Sequence, residues 1–122
     1  MAVATLGTVV LDCPDPAALA AFYAGLLGGE IVPGGEDWVE LTGTGGTLVA
    51  FQAAPGHVPP RWPSADASQQ VHLDLTVQDL DAAEKEALAL GATVLEADDR
   101  ACASRAVLFD DACSRRAWTD PE

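Results

Sequence analysis

One histidine, two aspartates and four large aromatic residues have types and spacing that could do chemistry in this sequence. His72 stands mid-strand in VHLDLTV, two residues before Asp74. Residues i and i+2 of a strand share a face at roughly 6.5 to 7 Å. The pair is therefore a candidate general base with a carboxylate to orient its imidazole, or a hydrogen-bond donor to a bound ligand. The plainer alternative for His72 is a structural histidine. Asp12 closes a second apolar run, and beside Asp74 it would make an acidic pocket suited to an amine or another cation; its competing role is to bond backbone amides at a helix entry. Trp38, Phe51, Trp62 and Trp118 are candidates for stacking a planar ligand. Core packing is the alternative for Phe51 and Trp118. Trp62, in PPRWP beside Arg61, could cover a pocket mouth or pin a connector.

Other chemistries are poorly supported. His57 sits beside a glycine in a loop-like stretch and receives no role. Cys13, Cys102 and Cys113 have no CxxC spacing and no neighbouring cationic pattern that would activate a thiolate, so neither a disulfide framework nor a Cys-rich zinc site is indicated. TGTGG has no helix after it to hold a phosphate, and no nucleophile elbow or dinucleotide fingerprint occurs. With 6 Lys and Arg against 19 Asp and Glu, the formal net charge is -13, the wrong sign for nucleic acid or an anionic membrane. No apolar run reaches the roughly 18 residues of a spanning helix, and the first twelve residues lack a basic leader region. The expected location is the cytoplasm.

These residues need elements to hold them, and 122 residues with 49% hydrophobic and 20% charged composition fit one globular domain. The β-branched run Thr5 to Cys13 predicts a strand. Asp15 then caps a helix with Pro16 at its first position, and Leu19, Phe22, Tyr23, Leu26 and Leu27 recur at helical spacing before Gly28 and Gly29. EIV, EDWVEL and TLVAFQ follow as short strands between glycine turns. Residues 53–68 contain Pro55, Pro59, Pro60 and Pro63 and read as a connector. The order then restarts. VHLDLTV alternates, with Val71, Leu73, Leu75 and Val77 on one face and His72, Asp74 and Thr76 on the other. Asp79 caps a second helix whose apolar side is Leu80, Ala83, Ala87 and Leu90, and TVLEA, AVLF and RRAWT follow as strands.

The chain thus reads as α+β, two tandem βαβββ modules of about residues 5–52 and 69–119 within a single domain 1–122. An offset of 64 registers one half on the other: Leu11 meets Leu75, Asp15 meets Asp79 and Ala18 meets Ala82. Thr8 then pairs with His72, Val10 with Asp74 and Asp12 with Thr76. All six lie on the strand face turned away from the helix, where two such sheets would line a common cavity.

In VVLDCPDPAALAAFYAGLLGGEIV, PPRWP, QQVHLDLTVQDLDAAE and ALGATVLEA, taken in order, the chain resembles the glyoxalase, bleomycin-resistance and extradiol-dioxygenase (vicinal oxygen chelate) superfamily, and most of all its small glyoxalase-like members. The resemblance runs from about Leu6 to Glu96 and fades beyond Ala101. It implies a curled eight-stranded sheet forming a cup with the helices outside, often within a homodimer. In catalytic members it also implies a divalent metal held from the first and last strand of each module, usually by His or Gln, Glu, His and Glu. Those positions fall on Thr8, Ala50, His72 and, if Asp110 marks the last turn, Ala117.

One donor of four cannot enclose Zn, Ni, Fe or Mn. The expectation is therefore no metal cofactor and a small-molecule binding protein of the sequestration or resistance type. Its ligand would be planar or cationic and would meet Thr8, Asp12, Trp38, Phe51, Trp62, His72, Asp74 and Trp118. The alternative is a lyase, isomerase or dioxygenase of the same superfamily. It would use a divalent metal at an unconventional site with His72, or metal-free acid-base catalysis by His72 and Asp74.

Overall fold

The computed structural model describes residues 2–57, 73–96, 106–110 and 115–119, and from residue 94 onward the main chain alone. The chain divides into two compact units, residues 1–57 and 58–121. Unit one holds β1 (Thr8–Cys13), α1 (Pro16–Leu27), β2 (Glu30–Pro33), β3 (Trp38–Thr42) and β4 (Leu48–Ala53). Unit two holds β5 (Leu73–Thr76), α2 (Leu80–Ala89), β6 (Thr93–Glu96), β7 (Ala106–Asp110) and β8 (Arg115–Thr119). Each is one helix with one mixed four-stranded sheet, so the α+β class and the repeated element order hold.

Both helices start where the sequence caps them. The Ala18 amide donates to Asp15 Oδ1 at 3.2 Å and the Ala82 amide to Asp79 Oδ1 at 3.1 Å, each satisfying one of the first-turn donors that a helix leaves unpaired. Helix α1 ends at Gly28, whose φ of 74° suits a residue without Cβ. It carries no charged residue, so side-chain size decides which face is buried: Leu19, Ala20, Phe22 and Tyr23 face the sheet, while Ala17, Ala18, Ala21 and Gly25 are exposed. Leu26 and Leu27, expected on the same stripe, are half-buried.

The strand order of unit one is β1-β4-β3-β2, with β1 parallel to β4 and the other pairs antiparallel. Strand β1 begins at Thr8 rather than Thr5, because its partner begins at Leu48, opposite Thr8, and nothing in the sheet pairs the residues before it. Leu6 is correspondingly 72% exposed. Leu11, Cys13, Val39, Leu41 and Phe51 are buried on the face that packs α1. Tyr23 joins helix to sheet: its ring stacks on Phe51 at 5.6 Å and 20°, and meets Phe22 edge-on at 5.0 Å.

Unit two repeats the elements but not the strand order, which is β5-β7-β8-β6. Here the third strand of the module, and not the last, runs parallel beside the first, pairing Leu73 with Val107 and Leu75 with Phe109. The sequence pattern accounts for the exchange. AVLFD carries a continuous apolar run, and its Val107 and Phe109 stand in register with Leu73 and Leu75, whereas RRAWT begins with two arginines and offers fewer apolar partners.

Candidate functional site: the open sheet face of unit one

Alternation along the strands sends the even-numbered residues of unit one to the side away from α1. The register aligns them in rows. Asp12, Gln52 and Trp38 form one row, and Val10, Ala50, Glu40 and Val32 form the next. Thr8 stands opposite Leu48, and Glu30 opposite Thr42. Asp12 is exposed, Thr8, Trp38 and Glu40 are half-buried, and Ala50, between Val10 and Glu40, is fully buried. Two strand spacings separate Asp12 from Trp38, roughly 9 to 10 Å of backbone.

The polar centre of this face is a pair that the sequence reading did not single out. The Trp38 indole N–H donates to Glu40 Oε2 at 3.0 Å. The signal was present in EDWVEL, because residues 38 and 40 of an alternating strand share a face. The indole is also held from the hairpin. The Gly34 amide donates to the Trp38 carbonyl at 2.9 Å, and a Cβ on Gly34 would lie 2.7 Å from Trp38 Cδ1. The Cδ1 edge of the ring therefore lies against Gly34, the residue after β2, where a side chain would not fit.

The remaining expected site residues divide as follows. Thr8, Asp12 and Trp38 share the open face, as alternation requires. Phe51 does not: it lies one residue out of phase, on the α1 side, with no exposed surface and its ring on Tyr23. Its assignment as a ligand-stacking residue is corrected to core. Asp74 is exposed on β5 while Leu73 and Leu75 beside it are half-buried, so the carboxylate is on the solvent side of its strand. Trp118 is paired in register with Val107, and hence stands in the row of Leu73, one step away from the row of Asp74, Leu108 and Ala117. The side chain of Trp118 lies outside the described residues. His72 and Trp62 lie outside the described residues. A shallow pocket of about 340 Å³ lies elsewhere, where the chain leaves β1 and β4, lined by Pro14, Ala53, Ala54, Pro55, Gly56 and His57.

The described residues do not fit a divalent metal at the positions the resemblance implies. Thr8 offers a hydroxyl and Ala50 and Ala117 offer methyl groups, none of them a competent donor set for a transition metal. Among the described residues, no three His, Cys, Asp or Glu side chains gather closely enough to hold an ion. Among the same residues, no helix is long and apolar enough to cross a membrane.

A helix packed on one side of a β1-β4-β3-β2 sheet, with the other side bearing polar and aromatic residues, defines a βαβββ module. The model of the glyoxalase-like domain matches residues 8–117, and the chain belongs to that family. Solved structures agree on the fold. A glyoxalase/bleomycin resistance protein/dioxygenase family enzyme from Burkholderia phytofirmans is similar at a TM-score of 0.63 and 19% identity, over 81% of this chain and 83% of that one. A glyoxalase/bleomycin resistance protein/dioxygenase from Nocardioides is similar at a TM-score of 0.58 and 18% identity, over 100% and 87%. A glyoxalase/dioxygenase from Nostoc punctiforme gives 0.57 and 18%, over 97% and 92%. No curated protein matches the chain significantly. At these identities the likeness speaks for the fold, and the fold serves binding and catalysis alike.

Proposed function

We propose that the protein binds a small organic ligand and sequesters it without a resident metal. The observation that carries this reading is the composition of the open face of unit one. Thr8 and Ala50 stand where a metal would need donors, while the pinned indole of Trp38, with Glu40 and Asp12, offers stacking surface and acceptors to a ligand. In this reading His72 and Asp74 are further ligand-binding residues. The protein works as a homodimer in the cytoplasm.

Native mass spectrometry of protein purified without chelator or affinity metal, paired with elemental analysis, tests the proposal. A metal-free dimer that retains a small organic mass, or takes one up from a mixture of planar and cationic compounds, is the expected result. Stoichiometric metal that disappears in His72→Ala would overturn it and point to an enzyme with a rewired ligand set.

A further inference from the structure

We infer that Trp38 and Glu40 form a recognition point for an organic ammonium group, so that the ligand of the open face is a cation of the alkylated-amine class. The inference rests on the binding reading above and deepens it. Its first ground is geometric. Gly34 lies at the Cδ1 edge of the indole, and Trp38 is only half-buried, so part of the residue stays accessible to a ligand. At the ring edge the N–H engages Glu40 Oε2, and among the described residues Oε1 accepts no hydrogen bond. A π-face and a carboxylate anchored to the same ring are the two groups that attract a desolvated ammonium, the face through its quadrupole and the carboxylate through its charge. A neutral planar ligand would use the ring alone and would gain nothing from the charge of Glu40.

The second ground is the distribution of charge. Residues 1–57 contain Asp12, Asp15, Glu30, Glu36, Asp37 and Glu40 but no Lys or Arg. Unit one therefore has no cationic side chain of its own to neutralise Glu40. Asp12, in the neighbouring row, and Glu30, on the edge strand, stand on the same face and add to the negative potential there. Such a face attracts cations and repels carboxylate and phosphate ligands. The indole hydrogen bond keeps Glu40 beside the ring, so ligand entry need not order that side chain.

The test uses the full chain and three probes: choline, its neutral isostere 3,3-dimethylbutanol, and the neutral fluorescent dye N-phenyl-1-naphthylamine. Binding of the first two is followed at the Trp38 indole N–H signal in ¹⁵N-labelled protein, a signal identified by its absence in Trp38→Phe. Choline is expected to shift that signal saturably, with the neutral isostere at least about tenfold weaker and Glu40→Gln losing about fivefold or more in choline affinity. Equal response to choline and its isostere, or full choline affinity in Glu40→Gln, overturns the ammonium site. If wild-type protein takes the dye but not choline, this inference falls and the binding reading stands. If it takes neither, both fall. The two-probe comparison on the unaltered chain decides the matter even if Glu40→Gln fails to fold.

Discussion

Phe51→Ala separates a core residue from a ligand contact, and the structure sets the size of its effect. Phe51 has no exposed surface, and its ring stacks on Tyr23 at 5.6 Å and 20°. Truncating a buried phenylalanine costs about 3 to 5 kcal/mol, from lost transfer energy and the cavity left behind. Loss of the stacked pair puts the expected value in the upper half of that range. Domains near this size lose roughly 3 to 5 °C of Tm per kcal/mol, so the melting point should fall by about 12 to 25 °C. Phe51→Leu keeps most of the volume and should cost about 1 to 1.5 kcal/mol. Thermal unfolding followed by circular dichroism measures both, and the dye titration supplies the second axis. A Phe51→Ala protein that melts within about 2 °C of wild type but no longer binds the dye would refute the assignment, because the ring would then face the ligand.

Other perturbations test the elements that carry the site. Gly29→Ala, at φ +88° and with its new Cβ driven against the Thr42 carbonyl, should lose more than about 2 kcal/mol in a urea titration. Gly28→Ala has open space around the added carbon, but at φ +74° and ψ -155° it holds a backbone conformation nearly confined to glycine, and it should lose about 1 to 3 kcal/mol from that strain alone in the same titration. Asp15→Ala and Asp79→Ala should each cost about 1 kcal/mol, additively, since they cap different helices in different units. Zinc or nickel added to chelator-treated protein should leave Tm unchanged, whereas a specific site at a hundredfold excess over its Kd would add about 2.7 kcal/mol. A saturable rise in Tm that His72→Ala removes would count against the metal-free reading.

Much of the architecture was legible because its signals are local. Asp15-Pro16 and Asp79 mark helix starts through side chains that bond amides three residues on, and the apolar spacing after each follows the helical period. The open face was partly legible for the same reason. Period-two alternation already puts Thr8, Asp12 and Trp38 on alternate positions of their strands, and Trp38 with Glu40 on one side of β3. Alternation within a strand does not say which side meets the helix. Phe51 shows the consequence, since an aromatic residue in TLVAFQ suits either face until the β1–β4 and β3–β4 registers assign it to the row of Leu11 and Val39.

The sequence by itself determined where the helices begin, that the element order repeats, and that the first half of the chain has carboxylates but no basic side chain. These are properties of spacing, capping and composition, which short segments carry alone. Only the tertiary structure decided that Glu40 holds the Trp38 indole, that Gly34 makes room at the Cδ1 edge of that ring, that Phe51 belongs to Tyr23, and that β7 rather than β8 runs beside β5. Each of these depends on which strand lies next to which and in what register. Strand pairing is a contact between distant segments, and a one-residue slip would turn every side chain of a strand to the other face.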